Sequence, residues 1–453
     1  MFTRNKLLTT AMAAVFGLSA SLASAETFGQ ALSAAYENSG LLEYNRAVLR
    51  AADEDVAQAV ASLRPAVSWS SSHSRAYDFE GNLLQTSTEL ARISASFDIW
   101  DAGTGAMGVE QQKETVLATR ESLKSVELDV LSSAVSAYLN VQTAGEFVNL
   151  RESNVRVLTQ ELRAARDRFD VGEVTRTDVS IAEAALASAR SLLAVAQGSL
   201  ANAREAYVVT IGHLPSNLQG VPVAPLPMNL TDAQAYAVRN HPTVVALQHQ
   251  IAAAEIGLTR AQNATMPTVS ATATAGIDED FNGAAQFGIN AGGPIYLGGQ
   301  LDSTVRQVRD RIDGLRAQLH RASLLIEQGV ANAYSNYQVA VSASEAYTRQ
   351  VSAAQLAFDG VREEANAGSR TTIDVLNAEQ DLLDARANRV SAQADVVLAS
   401  YGVLYAMGLL NASHLNLDVT QYDVEAHYNL VADAPLARSE QGAALERVLE
   451  ALR

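Results

Sequence analysis

The 453-residue chain carries 33 basic and 50 acidic residues, a formal charge of −17, and has no cysteine. Without cysteine there can be no disulfide, thiolate metal site, thiol nucleophile or lipid-bearing residue behind a signal, and the acidic balance argues against nucleic acid as a partner. Hydrophobic residues make up 48% but aromatics only 6%, with nine prolines in all, so most apolar positions are Ala, Val and Leu, a composition that suits long, closely spaced helices.

Arg4 and Lys6 precede an apolar run over residues 7–22 and the small-residue site Ala23-Ser24-Ala25, the pattern of a secretory signal cleaved before Glu26. The run is too short and too rich in Ala and Ser for a membrane anchor. Removing Arg4 and Lys6 with it takes 33 basic residues to 31 against 50 acidic ones, a charge of −19. No further run of about 18 apolar residues stands out, so no transmembrane helix is expected in the mature chain.

Beyond a first helix, a period of two begins weakly at Val67 and Trp69 and strengthens where Ala91, Ile93, Ala95, Phe97 and Ile99 alternate with Arg92, Ser94, Ser96 and Asp98. It returns where Val269, Ala271, Ala273, Ala275 and Ile277 alternate with Ser270, Thr272, Thr274 and Asp278, and where Ala285, Phe287, Ile289 and Ala291 alternate with Gln286, Gly288 and Asn290. Each run is about ten residues, the length of a tilted strand crossing an outer membrane. A half-buried hairpin on a globular sheet would show the same alternation. The secretory signal, and helices already committed to one another, favour a membrane barrel. Four strands cannot close one alone, since bacterial barrels start at about eight, so the barrel must be shared between chains.

Each strand pair leads into a long helical stretch, residues 103–170 and 299–366. A continuous helix of about 65 residues would be about 100 Å long. Short links, VGEVT from Val171 and AGSR from Ala367, then turn the chain back, with Gly172 and Gly368 where a left-handed residue is needed. Each half thus contributes a long antiparallel helical pair.

The two halves are copies. A forward step from 178 to 374, or 196 positions, carries Tyr138 onto Tyr334, Gly172 onto Gly368, Asp178 onto Asp374, Glu183 onto Glu379, Arg190 onto Arg386 and Gly212 onto Gly408. Upstream the step is 202, from Pro65 to Pro267. A period this long is duplication of a structural half rather than a solenoid. The expected organisation is a signal over 1–25, a first repeat over 26–220, a second over 221–412, and a tail over 413–453, equatorial or disordered.

The last helix of the second half shows how the helices pack. Leu376, Leu383, Val390, Val397 and Leu404, with Ile373, Gln380, Ala387, Ala394 and Tyr401, form one heptad seam. Val375, Leu382, Arg389, Val396 and Val403, with Ala378, Ala385, Ala392, Ala399 and Ala406, form another, roughly 155° away. A helix with two seams has a neighbour on each side. Between them one face carries Asp374, Asn377, Asp381, Asp384, Asn388, Ser391 and Asp395, and the other Glu379, Arg386, Gln393 and Ser400. A water-filled lumen against the acidic face and a helix solvated on both faces fit this pattern equally. The matching helix over 177–212 keeps the second seam but not the acidic row, which becomes Ile181, Ala185, Ser188 and Leu192.

Duplicated halves, the corners GEVTRTDV and GSRTTIDVLNAEQDLLDA, the GPIYLGGQL strand end and the YGVLYAMGLL helix end together resemble the TolC-type outer membrane efflux and secretion proteins, over residues 28–410. The resemblance implies a mostly helical fold with membrane β-structure: a homotrimer whose four strands per chain make a twelve-stranded barrel above a long periplasmic helical tube. It implies an equatorial belt drawn from residues 26–40, 213–240 and the tail. It also implies an exit duct without catalysis or cofactor, fed by a periplasmic adaptor and an inner-membrane transporter of ABC or proton-driven type. Thr177, Asp178 and Arg370 match the family's periplasmic gate, and Asp374 its acidic constriction. Asn377 stands where a second acidic residue is expected and Ala365 where an aromatic gate partner is expected. Read without the resemblance, Asp178 and Asp374 lie in first helical turns, where helix-start stabilisation accounts for them. Arg370, at a helix start where a cation is disfavoured, calls for an acidic partner.

Enzymatic function has little support. The seven histidines are scattered, His241 and His249 lack an acidic third ligand in register, and no metal spacing, phosphate loop or nucleophile elbow occurs. A secreted coiled-coil adhesin would explain the signal and the heptads but not the strand pairs or the duplication. Within the duct reading the cargo is either a polypeptide or small toxic molecules, and the lack of a lipid-bearing cysteine leans towards the type I secretion branch.

Overall fold

A computed structural model describes residues 26–436 and 438–451; the expected signal over 1–25 lies outside them. The chain runs twice through one order of elements. The first pass is α1 (Phe28–Asn38), α2 (Gly40–Ala61), β1 (Ala66–Tyr77), β2 (Leu83–Trp100), α3 (Thr104–Asp170) and α4 (Arg176–Ile211). The second is α5 (Leu230–Asn240), α6 (Pro242–Asn263), β3 (Thr268–Asp278), β4 (Gly283–Gly292), α7 (Gln300–Asn366) and α8 (Thr372–Ala406), followed by the short α9 (Ala426–Val431) and α10 (Glu440–Ala451). α3 and α7 are each 67 residues, rods of about 100 Å.

The two seams of α8 have separate partners. Val375 and Leu382 are buried with Phe358 and Ala365 of α7, and Val403 with Val330 and Tyr334 higher on the same helix. On the other seam Val397, Tyr401 and Leu404 join Leu131, Val135 and Tyr138 of α3. Full burial of each Leu or Val is worth about 1.5–3 kcal/mol, so both neighbours are held by apolar contact. α3 and α8 are the inner pair of the four-helix wall, with α4 packed on α3 and α7 on α8 as its outer members. Nearer the sheet, α2 packs on α3, and α6 packs on both α3 and α7.

By length and composition α4 is apolar enough to cross a membrane, contrary to the expectation that no such helix exists. Ala182, Leu186 and Ala189 of this stretch lie buried against Leu158, Leu162 and Ala165 of α3, while Leu192 and Val195 stay exposed. The mixed face of α8 is partly covered, with Gln393 left exposed. Glu379 and Ser400 are buried, the former under α3 and the latter under the segment after Gln219, where Ala224 N–H donates to Ser400 Oγ at 3.0 Å.

The strands form one antiparallel sheet in the order β1-β2-β3-β4. Their register aligns the two-residue period across all four: Val67 lies opposite Ala95, Ala95 opposite Ala273 and Ala273 opposite Phe287, while Ser68 aligns with Ser94, Thr274 and Gln286. One face is therefore apolar and the other polar. Trp69 is 80% exposed and Phe287 72%, because among the described residues no helix packs across the sheet. β2 is 18 residues long rather than about ten. Its first half, LLQTSTE, lacks alternation, and a register shift between Ser70 and Ser72 separates it from the membrane-type part, so the β1–β2 hairpin overhangs the β3–β4 turn.

The tail folds back onto α2 and α3. Glu127 accepts the Ala412 N–H at 2.7 Å, Arg46 lies over the rings of Tyr36 and Tyr422, Arg120 pairs with Glu425 at 3.4 Å, and buried His427 sits 3.1 Å from buried Asp53.

Candidate functional site at the hairpin corners

The free ends of the two helical hairpins are built alike. Gly172 has φ +83° and Gly368 φ +79°, the left-handed conformation that reverses a chain after a helix and that a β-carbon disfavours. Glu173 N–H reaches back to Arg168 O at 2.9 Å, and Ser369 N–H to Glu364 O at 2.9 Å. The returning helices then open on matching capping boxes. Thr175 N–H donates to Asp178 Oδ2 at 2.9 Å and Asp178 N–H to Thr175 Oγ1 at 3.3 Å; Thr371 N–H donates to Asp374 Oδ2 at 2.9 Å and Asp374 N–H to Thr371 Oγ1 at 3.4 Å. Each box satisfies two N–H groups that a helix start leaves unpaired. The Thr175 hydroxyl and N–H hold the Asp178 carboxyl below its ordinary range, and the Thr371 N–H and hydroxyl do the same for Asp374.

Arg370 does have an acidic partner, Glu364, at 2.8 Å within its own corner. Among the described residues no hydrogen bond or ion pair joins it to Thr177 or Asp178 of the same chain. Thr177 is exposed. Ala365, at the position of the expected aromatic, is buried in the α7–α8 seam with Phe358 and Val375. Asn377 is exposed and Asp374 partly so, and Asp381, Asp384 and Asp395 continue their stripe on the exposed surface of α8.

Three ties between the hairpins lie outside the sequence-derived site. Arg168 Nη2 donates to Asn366 Oδ1 at 2.8 Å at the very ends of α3 and α7, Arg362 pairs with Glu161 at 3.4 Å, and Asn154 Nδ2 donates to Glu379 Oε1 at 3.2 Å in a buried contact. The repeat offset carried a signal for two of these groups, since it matches Arg166 with Arg362 and Glu183 with Glu379. In the first half the pair closes on itself, Arg166 to Glu183. In the second half both members turn instead to α3.

Burial raises the Glu379 carboxyl above its ordinary 4.5, opposed chiefly by the Asn154 hydrogen bond. With the folded value raised, its stabilising contribution is complete below the unfolded value and is lost as pH rises through the folded one. The Glu379→Gln variant is therefore expected to be more heat-stable than the parent at neutral pH, with the difference vanishing as pH falls into the carboxylate range. Asn154→Ala, which strands a buried carboxylate, is expected to cost about 1–3 kcal/mol. Thermal unfolding followed by circular dichroism across about pH 4 to 8 checks both.

His241 and His249 are accounted for locally: His241 caps α6 by accepting the Thr243 N–H at 3.2 Å, and His249 pairs with Glu114 at 2.8 Å. Among the described residues no cluster of three or more His, Cys, Asp or Glu could hold a metal ion.

A four-stranded sheet with one apolar and one polar face, set at the end of a four-helix wall about 100 Å long, defines an outer-membrane channel protein with a helical extension. The chain belongs to the outer membrane efflux protein family, whose model matches residues 31–213 and 235–409. It is 34% identical to the outer membrane efflux protein BepC of Brucella suis biovar 1 (strain 1330), over 92% of each chain. It is 25% identical to the outer membrane protein TolC of Escherichia coli (strain K12), over 87% of this chain and 85% of that one. Among solved structures the fold is similar to that of CusC, described as forming a transmembrane channel, with a TM-score of 0.75 at 21% identity over 84% of this chain and 91% of that one. The protein is thus an outer-membrane exit duct for exported substrates, of a family of channels rather than enzymes.

Proposed function

We propose that three copies assemble into a duct that takes substrate from an inner-membrane transporter, ABC-type or proton-driven, through a periplasmic adaptor. The observation that carries this reading is the sheet. β1 and β4 both end in unpaired edges, and both faces are uncovered. Two copies would make eight strands, whose interior side chains fill; three make twelve, leaving a lumen lined by the polar face while the apolar face meets lipid. The segment crossing Ser400 supports the same geometry for the helices. A wrapped belt belongs outside a tube, which leaves the opposite, acidic stripe of α8 facing in. Residues 1–25 serve as the export signal in this reading, and the absence of a lipid-bearing cysteine favours a type I secretion role.

In the same reading Thr177, Asp178 and Arg370 close the periplasmic end, Asp374 forms the constriction with uncharged Asn377 beside it, and Gly172 and Gly368 shape the corners. The purified protein is expected to need detergent and to have three times the chain mass by native mass spectrometry. A detergent-free soluble monomer would overturn the assembly.

A further inference from the structure

Duplication makes one contact inside the chain a template for a contact between copies. α2 and α6 are equivalent, 22 residues each and 202 positions apart, and α3 and α7 are equivalent at 196 positions. Within the chain α6 packs on α7 of its own half and on α3 of the other. α2 packs on α3 of its own half, and its equivalent of the cross-half contact has no partner in the chain. The exposure of α2 shows what is missing. Ala246 and Ala253 on α6 are buried, whereas their equivalents Tyr44 and Ala51 are exposed, in a stripe with Leu41, Val48, Asp55 and Gln58. Tyr44 is 66% exposed and Leu41 51%.

We infer that this stripe of α2 seats against α7 of a second copy in the register of the α3–α6 contact, with an ion pair from Asp55 to Arg311 across the seam. In the template Arg260 Nη1 donates to Gln111 Oε1 at 2.8 Å and Arg260 Nε to Thr104 O at 3.1 Å. A β-carbon at Gly257 would lie 3.4 Å from the Gln111 amide, and Gly257 and Thr115 line one groove among α3, α6 and α7, which exposed Arg311 of the same chain also borders. The offsets turn Gly257 into Asp55, Gln111 into Gln307 and Thr115 into Arg311. An acid and a base thus replace two small residues that border one groove in the template. Neither Asp55 nor Arg311 has an ion pair or side-chain hydrogen bond among the described residues, and on α2 every other charged side chain, Glu43, Arg46, Arg50, Asp53 and Glu54, has an ion-pair partner. The template's own polar pair, His249 with Glu114, maps to Ala47 and Asp310, so that pair has no counterpart in the inter-copy seam. Between exposed partners the pair selects register and partner more than it adds stability.

This inference rests on the trimer of the proposed function, and the test separates the two. The chain has no cysteine, so the double variant Asp55→Cys/Gln307→Cys introduces the only thiols. Oxidised in detergent, it is expected to give covalently closed trimers on non-reducing gels. Asp55→Arg and Arg311→Asp are each expected to lower the temperature at which the trimer dissociates, and the charge-swapped double variant to recover most of that loss. A trimer by native mass spectrometry that forms no covalent link, or a swapped double variant no more stable than the weaker single one, would overturn the seam and leave the trimer standing. A monomer by native mass spectrometry would overturn both.

Discussion

Arg370→Ser is expected to raise single-channel conductance in planar bilayers several-fold by destabilising the closed periplasmic end. The repeat offset supplies the reason. Within one chain the ends of α3 and α7 are tied by Arg168 and Asn366 at 2.8 Å. Advancing Arg168 by 196 gives Glu364, and stepping Asn366 back gives Asp170, so in the proposed trimer the equivalent approach between copies would face two like charges. Arg370, 2.8 Å from Glu364, places a cation at that seam. Removing it leaves three repelling carboxylate pairs around the ring. Arg370→Lys keeps the charge and is expected to stay near the parent, and Glu364→Gln, which lifts the repulsion, is expected to offset Arg370→Ser. If Arg370 only supports its own corner, Arg370→Ser will lower trimer yield with conductance unchanged.

Asp374→Asn is expected to abolish most of the cation preference of the pore and most of its block by multivalent cations. In the proposed trimer three copies would place three carboxylates around a narrow aqueous passage, where like charges in a low-dielectric wall attract cations and exclude anions. Asparagine retains an oxygen to accept the Thr371 N–H, so the capping box largely survives and the charge is what the substitution removes. The Thr371 N–H and hydroxyl depress the Asp374 carboxyl below its ordinary 3.8. A depressed folded value means that the charge, and its helix-capping contribution, are present above the unfolded value and lost only as pH falls through the folded one. Cation block should accordingly persist through mildly acidic pH. Asn377→Asp, which adds a second ring one helical turn along, should tighten the block. Unchanged selectivity in Asp374→Asn would move the filter to the stripe at Asp381, Asp384 and Asp395.

Periodic and local features were legible in the sequence because they are written in residue spacing. The two-residue period marked the sheet, since alternate side chains of a strand take opposite faces, and the heptad rows of 371–409 marked two neighbours for one helix. The repeated corners were visible because capping and reversal depend on a few adjacent residues, Thr175 with Asp178 and Gly172 with its neighbours. Which partner a side chain meets is not written in spacing. Arg370 called for an acid, and only the folded corner selects Glu364. Glu379 lay on a face that a solvated helix would fit equally well, and only α3 covers it with Asn154. The long start of β2 gave no alternation, because an overhanging two-stranded ribbon has no buried face to impose one. Tertiary structure decides these points because burial and pairing depend on residues brought together from distant parts of the chain, and their identities are set by the packing of the two halves rather than by any local pattern.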